Sequence, residues 1–324
     1  MMNLCEGDLS LNHSDKPYDV ITFGDMCVDL IVTGDDVVPE FGQVEKLVGD
    51  YELEMGGSCN IFACQAAKLG LRVGILGRVG DDEFGRLIIR RLQDSGVDTR
   101  YVMIDPALKT GLGIALCSDH DRAILTYMGS LNAVYPADVS DEILRLTHHV
   151  HHGSYFLHTN LRPAMTDIFQ RALAFGATTS LDTNWDPDES WNSGLHDLLH
   201  LTDVFLPNEQ EARWISRADT VDKAINKFEG FGIHIVALKR GVHGAMAASG
   251  KQKFTFALPP VAGGDSIGAG DSFDAGFLAG WLRGLPLDDC LRIASHCGRE
   301  VASQVGGLRG QPDWETITRL AKLD

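Results

Sequence analysis

Apolar and polar positions along this chain follow two alternating patterns, one typical of buried strands and one typical of amphipathic helices. Residues 20–23 form a short apolar run that predicts a strand, and residues 81–95 repeat apolar positions at helical spacing. By the same criteria we predict further strands at 73–76, 149–156, 178–181, 204–206 and 233–238, and further helices at 61–69, 163–175, 269–283 and 288–304. This alternation predicts an α/β fold whose mostly parallel sheet is covered by helices on both faces.

Two stretches, about 30–55 and 109–133, interrupt the alternation. Each contains short extended pieces separated by glycine and charged residues, which predicts a small separate sheet. Residues 1–17 are polar and without pattern, so we expect a flexible tail in front of one domain that spans 18–324.

The composition narrows the classes of protein and partner. The chain has 324 residues, is 44% hydrophobic and carries a formal net charge of −17. Because it is acidic and lacks a Lys/Arg cluster, we expect neither nucleic acid nor an anionic membrane as a partner. No apolar run approaches the ~18 residues that span a bilayer, and no signal-peptide pattern is present. Seven scattered cysteines without a C-x-x-C pair suit a reducing compartment, so we expect a cytoplasmic protein.

The segment with the clearest chemistry is 265–277. Small residues at Gly268, Ala269 and Gly270 precede a predicted helix, and such a turn leaves backbone N–H groups free to bind an anion. Asp271 lies in the first turn, where a carboxylate can accept a proton from a hydroxyl that attacks a bound phosphoryl group. The alternative interpretation is a tight turn followed by a helix cap.

A second glycine-rich element lies near the start of the chain. The pair Gly56 and Gly57 allows a ligand to approach the backbone closely, and Asn60 offers the donor and acceptor that neighbouring sugar hydroxyls need. A predicted helix follows directly.

These two elements resemble the two signatures of the ribokinase-like (PfkB) carbohydrate kinase family, at 56–85 and 265–276, and the likeness covers nearly all of 18–318. The resemblance implies a three-layer α/β/α fold in which the small sheet is a lid over the substrate, with homodimers formed through the lids. It implies transfer of the γ-phosphoryl group of ATP to a hydroxyl of a small sugar. A nucleoside kinase of the same superfamily and a non-catalytic sugar-binding regulator remain alternatives.

The resemblance also assigns roles to individual residues. In catalysis, Asp271 is the base, and Gly268, Ala269 and Gly270 form the anion hole. The residues implied to bind substrate are Asp29, Gly56, Gly57, Asn60 and Asn132, and those implied to bind ATP are Asn208, Lys239, Gly241, Gly244 and His296. The residues implied to hold metal are Asn208 and Glu211 for the water shell of Mg²⁺ and Asp265 for a monovalent cation such as K⁺. Cys27 stands where ribokinases proper have a sugar-binding asparagine, which argues against ribose as the sugar.

Overall fold

A computed structural model describes residues 16–118, 122–261 and 266–323. Its strands are β1 (Tyr18–Gly24), β2 (Cys27–Thr33), β3 (Asp50–Gly56), β4 (Val73–Gly80), β5 (Asp98–Asp105), β6 (Gly111–Cys117), β7 (Arg122–Tyr127), β8 (Thr147–His152), β9 (Thr178–Leu181), β10 (Val204–Phe205), β11 (Ile235–Lys239), β12 (Ala245–Ser249) and β13 (Gln252–Phe256). Its helices are α1 (Ser58–Lys68), α2 (Glu83–Asp94), α3 (Asp141–Arg145), α4 (Met165–Ala174), α5 (Leu195–Leu199), α6 (Glu209–Ser216), α7 (Val221–Gly230), α8 (Ala269–Trp281), α9 (Leu287–Ala302) and α10 (Trp314–Ala321).

In the described part of the chain, the main sheet has nine strands in the order β13-β12-β11-β10-β9-β8-β1-β4-β5. The strands from β11 to β5 are parallel, and only β12 and β13 pair antiparallel, at one edge. In the central strand β1 every residue is buried, and Val20 lies between Val73 and His149 of its neighbours. A strand buried on both faces is typical of a parallel sheet with helices on each side. The predicted mostly parallel sheet is confirmed.

Helices cover both faces of this sheet and complete two apolar cores. One core includes Phe62 of α1 and Phe277 of α8, together with residues of α2, α9 and α10. The other includes Phe169 of α4 and Phe228 of α7, together with residues of α3, α5 and α6. The three-layer α/β/α architecture predicted from the sequence is therefore confirmed.

The described residues form a second sheet of four strands, in the order β3-β2-β6-β7, and the predicted segments 30–55 and 109–133 supply most of it. Strand register places Leu53, Leu30, Ile114 and Leu125 side by side across the sheet, on one face. Asp29 directly precedes Leu30 in β2, so its side chain points to the opposite face of the sheet. The small sheet has one apolar face and one face with a carboxylate near its centre.

Two details of the chain differ from the predicted pattern or lie partly outside the described residues. The strand predicted at 149–156 ends at His152, because Ser154 adopts a left-handed backbone (φ 54°) and a short 3₁₀ turn, Tyr155–Leu157, follows. Residues 1–15 of the predicted tail lie outside the described range, but the Lys16 ammonium donates to the carbonyl oxygens of Thr147 and Phe175 at 2.8 and 3.0 Å.

Candidate active site

The polar groups of the candidate site meet at the carboxyl ends of the central parallel strands. Asp25 follows β1, Asp182 follows β9, Lys239 ends β11, and the start of α8 lies beside them. This edge of an open parallel sheet is where ligands bind in α/β proteins.

The turn that was predicted to bind an anion begins α8. Gly268 caps the helix with φ +70°, and a Cβ atom there would lie 2.7 Å from the Cα of Gly307, so only glycine fits. Ala269 and Gly270 follow as the first two helical residues, and N–H groups at the start of a helix have no acceptor within it. Asp271 is the third helical residue, on the same turn.

The Asp271 carboxyl is half-buried, and its proton affinity is strongly perturbed. Burial, reinforced by the charges of Asp182 and Asp25, raises the pKa of Asp271 from 3.8 to about 7, against the opposing effects of Lys239 and of a hydrogen bond from Ser58. A base whose pKa lies near the working pH is the most effective kind. Asp271 is therefore suited to accept a proton near neutrality.

The Lys239 ammonium lies among several carboxylates next to the start of α8. Its ammonium lies 3.0 Å from Asp182 Oδ2 and 3.1 Å from Asp274 Oδ1, and Glu211 contributes a further negative charge nearby. Burial alone would lower the pKa of Lys239, but these carboxylates raise it above its usual value. The predicted contact of Lys239 with ATP stays a prediction; its ammonium lies close to the start of α8, since a Cβ on Gly270 would be 3.7 Å from it.

Asp182 and Asp274 are not among the predicted site residues, although both are buried in the site. Burial, with the charge of Asp182, raises the pKa of Asp274 well above its usual value despite the nearby Lys239 ammonium. Two features of the sequence could have pointed to these residues. Asp182 comes directly after a predicted strand, and Asp274 lies one helical turn beyond Asp271.

Asn208 and Glu211 form a reciprocal cap at the start of α6. The Glu211 N–H donates to Asn208 Oδ1, and the Asn208 N–H donates to Glu211 Oε2, both at 2.9 Å. Burial and the charge of Asp182 raise the pKa of Glu211 to about 8, against the opposing charge of Lys239.

This pair was also implied to hold the water shell of Mg²⁺, and the donor set permits that role. The described residues contain no group of three His, Cys, Asp or Glu side chains arranged to hold a metal, and Asp265 lies outside them. Asp182 Oδ1 is buried without a hydrogen-bond partner in the described part of the chain. Mg²⁺ keeps most of its waters and takes phosphate oxygens as ligands, so it needs few carboxylates from the protein. A site with the Asp182 oxygen and the Asn208–Glu211 pair fits this preference.

On the lid side, the carboxylate of Asp29 lies against two glycines. A side chain at Gly56 or at Gly113 would collide with it, so both positions must stay small. Gly57 has φ +87°, a conformation that also favours glycine. The loop is fixed by Asp25, which is buried and accepts hydrogen bonds from the N–H groups of Ser58 (2.7 Å) and Cys59 (3.2 Å). Asp25 is not among the predicted site residues.

The two predicted substrate amides already bind protein groups. Asn60 is fully buried, and its Nδ2 donates to the Gly56 carbonyl oxygen at 2.8 Å. Asn132 Nδ2 donates to Thr159 Oγ1 at 2.7 Å, while its Oδ1 accepts the N–H of Asn160. Both placements fit a role in holding the loops, and the predicted sugar contacts of these residues stay predictions.

The predicted nucleotide residues lie on the turn after β11 and on α9. Gly241 and Gly244 have φ of +54° and +82°, and the Arg240 N–H closes the turn on the Gly244 carbonyl oxygen at 2.9 Å. A side chain on Gly244 would collide with Phe256, and the Phe256 ring packs on His296 at 5.8 Å. The structure thus places both Gly244 and His296 next to Phe256, on one side of the predicted nucleotide site.

The match to a known family agrees with this geometry. The sequence profile of the pfkB family carbohydrate kinases matches residues 18–314. The chain belongs to this family. The pfkB match covers both predicted signatures and both sheets, so the fold and the site belong to one kinase domain.

Relatives of this pfkB kinase are named as sugar kinases. The chain is 27% identical to the ATP-dependent 6-phosphofructokinase of Thermoanaerobacterium thermosaccharolyticum over 95% of both chains. It is 28% identical to a fructokinase of Klebsiella pneumoniae over 91% of this chain and 97% of the other. An E. coli protein described as a ribokinase II, crystallised with ATP and Mg²⁺, superposes with a TM-score of 0.83 at 27% identity, covering 95% of this chain and 100% of that one.

Within the described residues of the kinase, no helix combines the length and apolar character needed to cross a membrane.

Proposed function

We propose that this pfkB kinase transfers the γ-phosphoryl group of ATP to a hydroxyl of a small sugar, with Asp271 as the base. The observation that carries the proposal is a carboxyl with a pKa near 7 on the same helical turn as the backbone N–H groups at the start of α8. Asp271 accepts the hydroxyl proton while the hydroxyl oxygen attacks phosphorus. The N–H groups at 268–270 bind the phosphoryl oxygens, and loss of one such donor costs roughly 10²–10³ in rate.

ATP would lie along the turn at Gly241 and Gly244 towards His296, with its phosphates directed to the start of α8. The free oxygen of Asp182 and the cap formed by Asn208 and Glu211 support a role in orienting the waters of Mg²⁺. When bound, that ion offsets the negative charge of the transferring group. Asp265, the proposed ligand of a monovalent cation such as K⁺, lies outside the described residues.

The sugar would bind under the lid, between Asp29 and the Gly56-Gly57 loop. A carboxylate can accept hydrogen bonds from two hydroxyls, and Gly56 and Gly113 leave the space that the Asp29 carboxylate occupies. Closure of the lid excludes water that would otherwise accept the phosphoryl group.

The test is ADP release from ATP and Mg²⁺ against ketoses, aldoses, sugar acids, sugar phosphates, polyols and nucleosides, with Asp271→Asn as the negative control. Turnover with one sugar class, absent in the variant, supports the proposal and names the substrate. Turnover with nucleosides alone would replace it with a nucleoside kinase. Thermal stabilisation by sugars without turnover would replace it with a non-catalytic sugar-binding protein.

The rate should depend on pH through Asp271. Because burial raises the pKa of Asp271 to about 7, the base is protonated below that pH. We therefore expect kcat/KM to fall about tenfold for each pH unit below about 6.5 and to level off above about 7.5. A pH–rate profile from pH 5 to 9 measures this, and a profile that stays flat down to pH 5 would contradict the assignment.

We also propose that two copies pair through the apolar face of the lid. Leu30, Leu53, Ile114 and Leu125 form a continuous row across that sheet, and Leu53 and Leu125 are 37% and 60% exposed. Asp29 points away from this row, so a second lid can cover the row without closing the sugar site. An exposed apolar row of this kind indicates a protein interface.

Leu53→Asp should convert the dimer to a monomer, because a charge at the interface would lose its water on pairing. Sedimentation equilibrium should show the mass halve, and the KM for sugar should rise several-fold as the lid loses support. Ile104→Asp, at an exposed apolar position on β5 outside the lid (56% exposed, against 37% for Leu53), is the control and should stay dimeric. A monomeric wild-type kinase would refute the proposed pairing.

A further inference from the structure

A second cavity, of about 930 Å³, lies outside the groups assigned to catalysis. It is bounded by α6, the loop after β9 and the turn after β11. Its lining consists of aromatic and charged side chains, chiefly Trp185, Trp191, Trp214, Arg213, Arg217 and Arg240. This volume is within the ~300–1,000 Å³ of small-molecule sites.

Three tryptophans of the chain's five build one wall of this cavity. Trp191 is buried and stacks on Trp214, with ring centres 6.1 Å apart and planes 13° apart, while Trp185 meets it edge-on at 4.9 Å. Trp185 and Trp214 are 45% and 52% exposed, so each presents part of an indole to the cavity. Indole faces of this kind stack on planar or ring-shaped ligands.

The charges around the tryptophans favour an anion. Of the three acidic lining residues, Glu209 pairs with Arg240 at 2.8 Å and Asp219 with Lys223 at 3.3 Å, which leaves Glu189 as the acidic group without an ion pair in the described part of the chain. Arg213 and Arg217 have no ion-pair partner in the described part of the chain. Arg213 lies in the last turn of α6 and Arg217 caps its end, one helical turn away, so the two guanidinium groups outnumber the one unpaired carboxylate and favour a phosphate as ligand.

The loop after β9 is held in a strained shape. Glu189, Trp191 and Ser193 have left-handed backbones, with φ of 51°, 56° and 44°. Asp186 is fully buried, and its carboxylate accepts hydrogen bonds from the Asp188 N–H (3.1 Å), the Ser190 hydroxyl (2.9 Å) and the Trp191 N–H (2.7 Å). Strain persists where the surroundings enforce it, and it clusters at ligand sites. The tryptophan wall is therefore pre-formed.

We propose that this cavity binds a ring compound that carries a phosphate group, with the ring on Trp185 and Trp214 and the phosphate on Arg213 and Arg217. Arg240 joins the cavity to the proposed nucleotide turn, because it lies between Lys239 and Gly241 and pairs with Glu209 next to Asn208. Occupancy therefore changes the affinity for ATP. This coupling rests on the proposed function, whereas the binding does not.

Binding is tested by tryptophan fluorescence, without turnover, using fructose 1,6-bisphosphate, glucose 6-phosphate, AMP and inorganic phosphate. We expect saturable quenching by a sugar phosphate or by AMP with a Kd below about 1 mM. The Kd should rise at least tenfold in Trp214→Ala and in Arg213→Ala/Arg217→Ala. Arg319→Ala, an exposed arginine on α10, is the control and should bind as wild type. Binding of a sugar phosphate alone would identify the ligand as a phosphosugar, and binding of AMP alone would identify it as a nucleotide.

Three outcomes would overturn the site: no quenching by any ring phosphate at 10 mM, equal quenching by inorganic phosphate, or quenching that survives in the cavity variants and is displaced by ATP. In the enzyme assay, the saturating ligand should change the KM for ATP at least threefold in wild type and not in Trp214→Ala. An unchanged KM with intact binding would overturn the coupling.

Discussion

Asp271→Asn is expected to lower kcat by about 10²–10⁴-fold, the usual contribution of a general base. The amide keeps the size and most hydrogen bonds of the side chain but cannot accept the hydroxyl proton. ATP binding, measured by calorimetry, should stay within about threefold of wild type, because the anion-hole N–H groups are unchanged. Asp167→Asn, an exposed carboxylate on α4, is the matched control and should keep full activity. A kcat within tenfold of wild type would remove Asp271 from the role of base.

The same variant should be more stable than wild type at alkaline pH. The folded-state pKa of Asp271 is raised to about 7, whereas its ordinary value is 3.8, so folding with an ionised Asp271 is penalised above pH 7. Stability is therefore lost as the pH rises from about 4 to 7, and asparagine avoids this loss. One pKa unit corresponds to about 1.4 kcal/mol, which sets an upper limit of about 4 kcal/mol on the gain.

Thermal unfolding at pH 8 and pH 5 measures this gain, which should be larger at pH 8. A fall in Tm at pH 8 would show instead that misfolding explains the lost activity. The two measurements together separate a chemical role for Asp271 from a structural one.

The fold was largely predictable because its signals are local. Hydrophobic runs and helical spacing marked β1, β4 and β9 within a few residues of their observed bounds. The end of β8 was not predictable, since it depends on the left-handed backbone of Ser154, a residue type that gives no such signal. The lid segments were recognised only because they broke the alternation.

The site was predictable where its residues are neighbours in sequence and not where the fold joins distant segments. The turn at 268–270 and Asp271 are contiguous, so their chemistry could be inferred directly. The contact between Lys239 and Asp274 joins residues 35 apart, and Asp25 holds an N–H group 33 residues away. Such contacts depend on the order of strands in the sheet, which no local pattern specifies.

Lys239→Met should be the most destabilising single substitution in the site. Methionine fills the same space but leaves the carboxylates of Asp182 and Asp274 buried without their cation. Breaking a buried ion pair in this way costs about 3–5 kcal/mol. Lys239→Arg, which keeps the charge, is the matched variant and should lose less. Urea unfolding of both at pH 8 measures the difference, and equal losses would show that shape rather than charge matters at this position.

The loss of stability in Lys239→Met should also depend on pH. Steric damage alone would not produce this dependence. The Lys239 ammonium lowers the pKa values of Asp271 and Asp274, so its removal raises both further. Carboxyls with raised folded-state pKa values destabilise the fold as the pH rises, so the deficit should be smaller at pH 5 than at pH 8. For the same reason the acid limb of the kcat/KM profile should move to higher pH in Lys239→Met and stay in place in Lys239→Arg. An unshifted limb in the methionine variant would mean that Lys239 does not set the proton affinity of the base. A shifted limb, together with a loss of stability in the methionine variant alone, would show that one ammonium both stabilises the start of α8 and sets the proton affinity of the proposed base.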